Sequence, residues 1–206
     1  MARADHSIDP RILESARREF LAHGFENASL KDICAQAGVT TGALYKRYEN
    51  KEALFCAVVE KTVGDLTRVR KEKVGLDAGA LSDEALMRAW DMDEDYMWWW
   101  FDFLLARRED FVLLLKCAAG TRYADFQHDW VEQMTCATYG FYREAARRGL
   151  ARPDISPEEM HILLSAFWTT IYEPFIHDFT REQMRAHSHL VCDLFNWRRV
   201  LGFPQV

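Results

Sequence analysis

The stretch GFENASLKDICAQAGVTTGALYKRYENKEALF, residues 24–55, contains two short helical segments separated by only two residues. Ser29 is suited to cap the first segment, and Gly38 is suited to end it. A tight turn between two short helices, the second small enough to enter a groove, is typical of a helix-turn-helix. The stretch therefore predicts a helix-turn-helix made of residues 30–37 and 41–48.

The second segment has side chains that suit a DNA surface. Thr40 and Thr41 place hydroxyls at its N-terminus, where backbone amides also attract phosphate. Gly42 is small enough to let the backbone approach a duplex closely. Tyr45 and Lys46 supply a phenol and a cation, and we expect Tyr45 to be exposed because one leucine already anchors this short helix. Residue types and spacing together indicate a DNA-binding element.

The stretch also resembles the DNA-binding head of TetR-family transcriptional regulators. The family pattern is AGVS-x-G-x-LY-x-(Y/H)F followed by K-x-x-L, and this chain has AGVTTGALYKRY at 37–48 and KEAL at 51–54. The one visible departure is Tyr48 with Glu49, where phenylalanine followed by a polar residue is usual, and it is mild when Arg47 is counted at the family's aromatic position. Histidine or tyrosine at the position of Arg47 often contacts phosphate, and arginine can serve the same role. The resemblance covers residues 9–55 and agrees in both spacing and residue type.

The resemblance implies a homodimer that binds a palindromic operator in double-stranded DNA. It further implies that a small-molecule effector, bound in the C-terminal part, controls release from that DNA. The positions that match family positions commonly touching DNA are Ser29, Thr40, Thr41, Gly42, Tyr45, Lys46, Tyr48 and Lys51. We expect Lys46 to contact a base edge or a phosphate and the tyrosines to position the protein on the backbone.

The overall charge excludes a general attraction of the whole chain to nucleic acid. The 206 residues have a formal net charge of −6, and residues 1–51 contain eight lysines and arginines against seven acidic residues. DNA binding must then depend on a few well-placed cations and amides. This predicts modest non-specific affinity and a shallow dependence on salt.

The rest of the chain is predicted to be helical. Glycine and proline are scarce, at ten and five residues, and apolar residues recur at helical intervals. The predicted helices cover residues 9–23, 29–38, 41–50, 51–73, 82–107, 109–119, 121–149, 156–177 and 180–201. The expected fold is all-α, with about nine helices. A helix-turn-helix DNA-binding domain would occupy residues 1–55, and a bundle for ligand binding and dimerisation would occupy residues 56–206.

The segment DEDYMWWWFDF, residues 93–103, raises the question of what three consecutive tryptophans do. At 100° per residue they point in three directions, so they cannot share one lipid-facing side, and no interfacial membrane helix is expected. Two interpretations stay open: the indoles fill the core of a central helix, or some of them line a pocket between helices. Trp98 or Trp99, beside Asp102, is the expected cavity residue.

The predicted effector is a small lipophilic or aromatic molecule. Carboxylates beside indole faces could also hold a lipophilic cation through charge and cation–π attraction. The candidate ligand-binding residues are Trp98, Trp99, Asp102, Tyr123, Phe126, Trp130, Phe167, Trp168 and Tyr172.

The last two predicted helices are apolar over wide faces, which suggests a four-helix interface with a second copy of the chain. Five widely spaced cysteines without a CxxC pair and histidines without compact spacing predict no metal site and no cofactor. The N-terminal twenty residues lack the apolar stretch of a signal peptide, and no run of about 18 apolar residues occurs. A cytoplasmic protein is expected.

Two other functions stay open as alternatives. The chain could be a helical enzyme that uses the aromatic C-terminal cavity, although the sequence shows no nucleophile–base pair, glycine-rich phosphate loop or metal set, so no catalytic residue is predicted. It could also be an interaction module without regulated DNA binding. The intact segment from Thr40 to Lys51 argues against that second alternative.

Overall fold

The structure is a computed structural model that describes residues 9–204, without the side chains of residues 73 and 74. The first eight residues, where no signal peptide is expected, lie outside the described part. Within it all regular structure is helical, which confirms the all-α fold class. The helices are α1 Asp9–Asn27, α2 Leu30–Ala37, α3 Thr41–Tyr45, α4 Lys51–Val74, α5 Asp83–Arg88, α6 Glu94–Leu105, α7 Arg108–Lys116, α8 Phe126–Arg147, α9 Pro157–Ile176, α10 Arg181–Leu194 and α11 Trp197–Leu201, with a 3-10 turn at Ala78–Ala80.

The chain divides into two compact units. The described residues up to Leu66, together with Arg107–Phe126, form the first, here called the head unit. Residues Thr67–Ala106, together with the described residues from Gln127 onwards, form the second, here called the bundle unit. The head unit thus contains α7, which follows α6 of the bundle unit in sequence. Whether the functional domains divide at residue 55 stays a prediction.

Local signals define the helix-turn-helix in the head unit. The Ser29 hydroxyl accepts a hydrogen bond from the Asp32 amide at 3.2 Å and starts α2. Gly38 ends α2 with a φ of 65°, in the left-handed region that favours glycine. Thr40 then starts α3 by accepting a hydrogen bond from the Ala43 amide at 3.2 Å. The caps predicted at Ser29 and Gly38 are therefore present, and Thr40 adds a third.

The segment that contains α7 is joined to α1 and α4 by charged and polar contacts within the head unit. Arg17 on α1 donates to Asp110 on α7 at 2.7 Å, and the Thr62 hydroxyl on α4 donates to the other Asp110 oxygen at 3.0 Å. Arg107 makes two hydrogen bonds, of 2.9 and 2.7 Å, to Asp65 on α4. These contacts fix α7 against the helices that support the helix-turn-helix.

Two long helices predicted from the sequence are each interrupted, so both predictions are wrong. Residues 82–107 form α5 and α6, because the Asp93 carboxylate accepts a hydrogen bond from the Tyr96 amide at 2.9 Å and starts a new helix. Residues 180–201 form α10 and α11, and there the Asn196 side chain accepts from the Arg199 amide at 2.9 Å. Asp and Asn compete with helical hydrogen bonds in just this way.

The core of the bundle unit is built around an aromatic cluster. Trp100 on α6 is fully buried, and its ring centroid lies 4.9 Å from that of Trp168 on α9 and 6.2 Å from that of Trp130 on α8. The edge-to-face angles, close to 80°, are those that aromatic quadrupoles favour. Pro174 lies in the last turn of α9, which ends two residues later.

Over residues 9–204, no helix is long and apolar enough to cross a membrane.

Candidate functional site

The outer face of α3 presents the side chains that the sequence assigned to DNA. Thr40, Thr41, Gly42 and Lys46 are exposed, and Tyr45 is 54% exposed. Leu44, which lies between Gly42 and Tyr45 in sequence, is buried and anchors the helix, as expected. A hydroxyl, a phenol and an ammonium group therefore share one accessible surface, which can reach phosphates and base edges together.

The short helix α3 is fastened at both ends. Thr40 caps its N-terminus through the hydrogen bond to the Ala43 amide. Arg47, just beyond its C-terminus, pairs with Asp9 at the start of α1 and donates to the Ala43 carbonyl at 3.2 Å. Arg47 thus ties α3 to α1. This fixes the orientation of the exposed face before any DNA is bound.

Three of the predicted DNA-binding residues have structural contacts of their own. The Lys51 ammonium donates to the carbonyls of Glu26 and Ala28 at 2.9 and 3.2 Å, so it caps the C-terminal end of α1. Ser29 caps α2 as described above. Tyr48 is half-buried, and burial, followed by the charge of Asp9, raises the pKa of its phenol, which therefore stays protonated and can donate. Their contact with DNA stays a prediction.

A cavity of about 400 Å³ lies in the bundle unit and is predominantly apolar. Its walls come from α5, α6, α8, α9 and the segment before α5. Five aromatic residues contribute to the wall: Trp90, Tyr96, Phe141, Phe167 and Trp168. The volume is within the range of cavities that bind small organic molecules.

Three polar side chains contribute to the same wall. Asp91 makes two hydrogen bonds to Arg198, of 2.7 and 3.1 Å. The Thr138 hydroxyl donates to the Met134 carbonyl at 2.8 Å. Arg88 forms a looser ion pair with Glu84, at 3.6 Å. Tyr96 belongs to the aromatic part of the wall, and burial raises the pKa of its phenol. The cavity can therefore hold an apolar body with a few polar groups near it.

The head of this chain matches a family model described as "Bacterial regulatory proteins, tetR family" over residues 12–58. It is also 43% identical over 49 residues to the HTH-type transcriptional regulator UidR of Escherichia coli, a match that covers 24% of this chain. The head of this chain is thus similar to the DNA-binding heads of TetR-family regulators. The match spans only a quarter, 25%, of the length of UidR.

Two longer matches extend beyond the TetR head. The HTH-type transcriptional repressor AcnR of Corynebacterium efficiens is 25% identical over 183 residues, covering 85% of each chain. The solved structure of FadR from Bacillus subtilis, a transcriptional regulator in complex with stearoyl-CoA, superposes with a TM-score of 0.60 and 15% identity. That superposition covers 90% of this chain and 96% of FadR and shows a shared fold.

Of the nine ligand-binding residues predicted from the sequence, Phe167 and Trp168 line the cavity. Trp130 and Tyr172 are buried next to it, with ring centroids 5.4 and 6.0 Å from that of Trp168, and burial raises the pKa of Tyr172 well above its ordinary value. Tyr123 and Phe126 lie in the head unit, where Phe126 packs on Phe111.

The other three predicted residues lie on α6, outside the cavity wall, and two of them, Trp98 and Asp102, contact α10. Two guanidinium groups cover the Trp98 ring, Arg181 at 4.8 Å and Arg185 at 5.3 Å from its centroid. Arg181 also pairs with Asp102. The sequence suggested that the Trp98 indole and the Asp102 carboxylate could hold a cationic ligand. In the structure, Arg181 of the protein itself is the cation that binds both groups. Trp99 is 41% exposed and stacks on a neighbouring phenylalanine.

The sequence missed the part of the cavity wall formed around the break between α5 and α6. Trp90, Met92 and Tyr96 line the cavity there, together with Arg88 and Asp91. The signal that could have found them is Asp93, an N-cap residue inside an apparently continuous helix. Over residues 9–204, no group of three or more histidine, cysteine or acidic side chains could hold a metal.

Proposed function

We propose that this chain regulates transcription by binding a palindromic operator as a homodimer, acting as a repressor that a small lipophilic or aromatic molecule releases. The observation that carries the proposal is the exposed face of α3, with Tyr45 and Lys46 projecting from a helix fastened at both ends. Such a preformed face loses little entropy on binding DNA. The proposed setting is the cytoplasm, where the DNA is.

Exposed apolar side chains on α9 and α10 support the proposed homodimer. Ile162 on α9, Leu190 and Leu194 on α10 are 66%, 68% and 72% exposed. Leu190 and Leu194 are one helical turn apart and therefore share a face. Large apolar side chains exposed on one helix face in this way are characteristic of an interface between copies of a chain. Two α3 helices presented by one dimer would then enter successive major grooves, about 34 Å apart.

The cavity in the bundle unit supports control by an effector. A ligand shifts the balance between two conformers only by binding one of them more tightly. In the proposed mechanism, the occupied cavity favours a conformer in which the distance between the two heads of the dimer no longer matches the distance between successive major grooves of the operator. That FadR, a protein of the same fold, is known in complex with stearoyl-CoA is consistent with an apolar effector.

The two alternatives have less support. The relatives with matching sequence are described as regulators or repressors of transcription, which disfavours a helical enzyme. An interaction module without DNA binding would not need an exposed threonine, tyrosine and lysine on a separately fastened helix.

The proposal is tested by a gel shift with the DNA upstream of the chain's own gene. Lys46→Ala should weaken binding on the order of tenfold, the loss expected for one contact to DNA. Lys61→Ala, which removes an exposed lysine on α4 instead, should bind as tightly as the wild type. The proposal fails for this surface if both variants and the wild type bind the upstream DNA and random DNA equally.

A further inference from the structure

The charges at the cavity point to a more specific effector than a lipophilic molecule of unspecified charge. Arg88 contributes to the wall, yet its side chain is 63% exposed, which places it at the mouth. Its ion pair with Glu84, at 3.6 Å and between two largely exposed side chains, is of the weak surface kind. Arg88 can therefore exchange Glu84 for a better partner at little cost.

Asp91, the acidic residue of the same wall, is by contrast firmly paired with Arg198. Its two carboxylate oxygens accept hydrogen bonds from Arg198 at 2.7 and 3.1 Å, in the bidentate geometry that guanidinium and carboxylate groups favour. A cationic ligand would have to compete with Arg198 for this carboxylate and would meet the positive charge of Arg88. The pairing of Asp91 thus disfavours a cation at this mouth and leaves Arg88 as the available charge.

We infer that the effector of the proposed regulator is a small lipophilic carboxylic acid, whose apolar body fills the aromatic cavity and whose carboxylate binds Arg88. This inference rests on the proposed function. A guanidinium group presents parallel N–H donors that match a carboxylate. The acid is favoured over a phosphate monoester because Arg88 supplies one positive charge, whereas a phosphate dianion would leave a second charge uncompensated.

The aromatic wall determines the rest of the ligand. Trp90, Phe141, Phe167 and Trp168 are buried, and they enclose a space of about 400 Å³. Such walls suit a flat or compact apolar body, and they give an anion little other stabilisation. Because the rest of the wall is predominantly apolar, removing the charge of Arg88 should weaken the binding of the ligand's acidic group and leave the binding of its apolar body unchanged.

Isothermal titration calorimetry on the full chain, without DNA, tests the inference. The probes are 1-naphthylacetate, the neutral 1-naphthylacetamide, the cationic 1-naphthylmethylammonium and 1-naphthyl phosphate, which have the same aromatic body. We expect the acetate to bind on the order of tenfold more tightly than the amide, as for one charge-assisted hydrogen-bonded pair, and the ammonium to bind weakest. Arg88→Gln should lower the acetate affinity to that of the amide.

Arg143→Gln, at an exposed position of α8 away from the cavity wall, is the matched control and should keep the preference for the acid. The inference is overturned if the ammonium or the phosphate binds most tightly, if Arg88→Gln keeps the preference, or if none of the four probes binds. Because the calorimetry is carried out without DNA, these outcomes do not depend on whether the chain binds DNA. A chain that prefers the acid but ignores its upstream DNA would instead contradict the proposed function alone.

Discussion

At the scale of single residues, the three consecutive tryptophans have three different environments. Trp100 is fully buried, Trp98 is half-buried beneath two arginines, and Trp99 is 41% exposed. The helical angle of 100° per residue predicts that they point apart, but not which one is innermost. That depends on where the helix begins. The sequence predicted one helix from residue 82, whereas the helix that contains the tryptophans starts only at Glu94.

The tryptophans should therefore differ in their contribution to stability. Trp100→Ala should lower the free energy of unfolding by about 3–5 kcal/mol, as for other large aromatic residues removed from a core. Trp99→Ala loses mainly the stacking on Phe103 and should cost about 0.5–1.5 kcal/mol. Urea unfolding of the two variants measures this difference. Equal losses would show that Trp100 is not the centre of the core.

The head shows which residues can be predicted from sequence and which cannot. Ser29, Gly38 and Thr40 act within three residues of their own position, so their capping roles could be predicted from the local sequence. Lys51 caps α1 across more than twenty residues, and Arg47 binds Asp9 from nearly forty residues away. Partners so distant in the chain are brought together only by the fold, so local sequence patterns do not reveal them.

At the scale of elements, the segment 76–82 between α4 and α5, here called the strap, forms part of the cavity wall through Leu76 and Leu81. Arg148, the residue after α8, holds it by donating to the Leu81 carbonyl at 2.7 Å, to Asp83 at 2.9 Å and to the Gly79 carbonyl at 3.0 Å. Local sequence patterns do not reveal this anchor, because Arg148 lies more than sixty residues away along the chain.

Removing this anchor should loosen the strap without unfolding the bundle. Arg148→Gln should accelerate amide hydrogen exchange over the strap on the order of tenfold, because local opening no longer breaks the bonds from the guanidinium. Arg147→Gln is the matched control, since the Arg147 guanidinium donates both of its hydrogen bonds to Glu144, the carboxylate that Arg148 also binds. Hydrogen exchange followed by mass spectrometry resolves the segment. Unchanged exchange in Arg148→Gln would contradict the anchoring role.

Glu144 completes the anchor and gives it a dependence on pH. Hydrogen bonds from Arg147 and Arg148 lower the pKa of Glu144 to about 2. A carboxyl whose pKa is lowered on folding stabilises the protein above its unfolded pKa, near 4.5, and this contribution is lost as the pH falls towards 2. Between those values, the wild type should lose stability more steeply than Glu144→Gln. Acid unfolding followed by circular dichroism provides the comparison, and parallel curves would contradict the shift.

At the scale of the whole molecule, composition and helical periodicity were enough to predict an all-α chain with a helix-turn-helix head. They placed the ligand-binding residues less well, because the cavity forms around a helix break and draws its wall from α5, α6, α8 and α9. A wall assembled from several helices depends on how those helices pack. Only the two residues on α9, Phe167 and Trp168, were both predicted and present in that wall.

The proposed dimer makes a prediction at this scale. Replacing Leu190 and Leu194 with glutamate puts two charges into the apolar face of α10 and should give a monomer that keeps its helical content. Affinity for the operator should fall by ~10²-fold or more, because one head binds without the other. Gln133→Glu, which adds a negative charge at an exposed position of α8, should remain dimeric. Sedimentation velocity reports the mass; a double variant that stays dimeric places the interface elsewhere.

The central claim, that the exposed face of α3 binds a specific DNA sequence, is tested most directly by fluorescence anisotropy. A labelled duplex from upstream of the chain's gene would be titrated beside a scrambled duplex of equal length at the same salt concentration. We predict affinity for the native duplex at least ~10³-fold higher, with two chains bound per site. Equal affinity for the two duplexes would contradict the account.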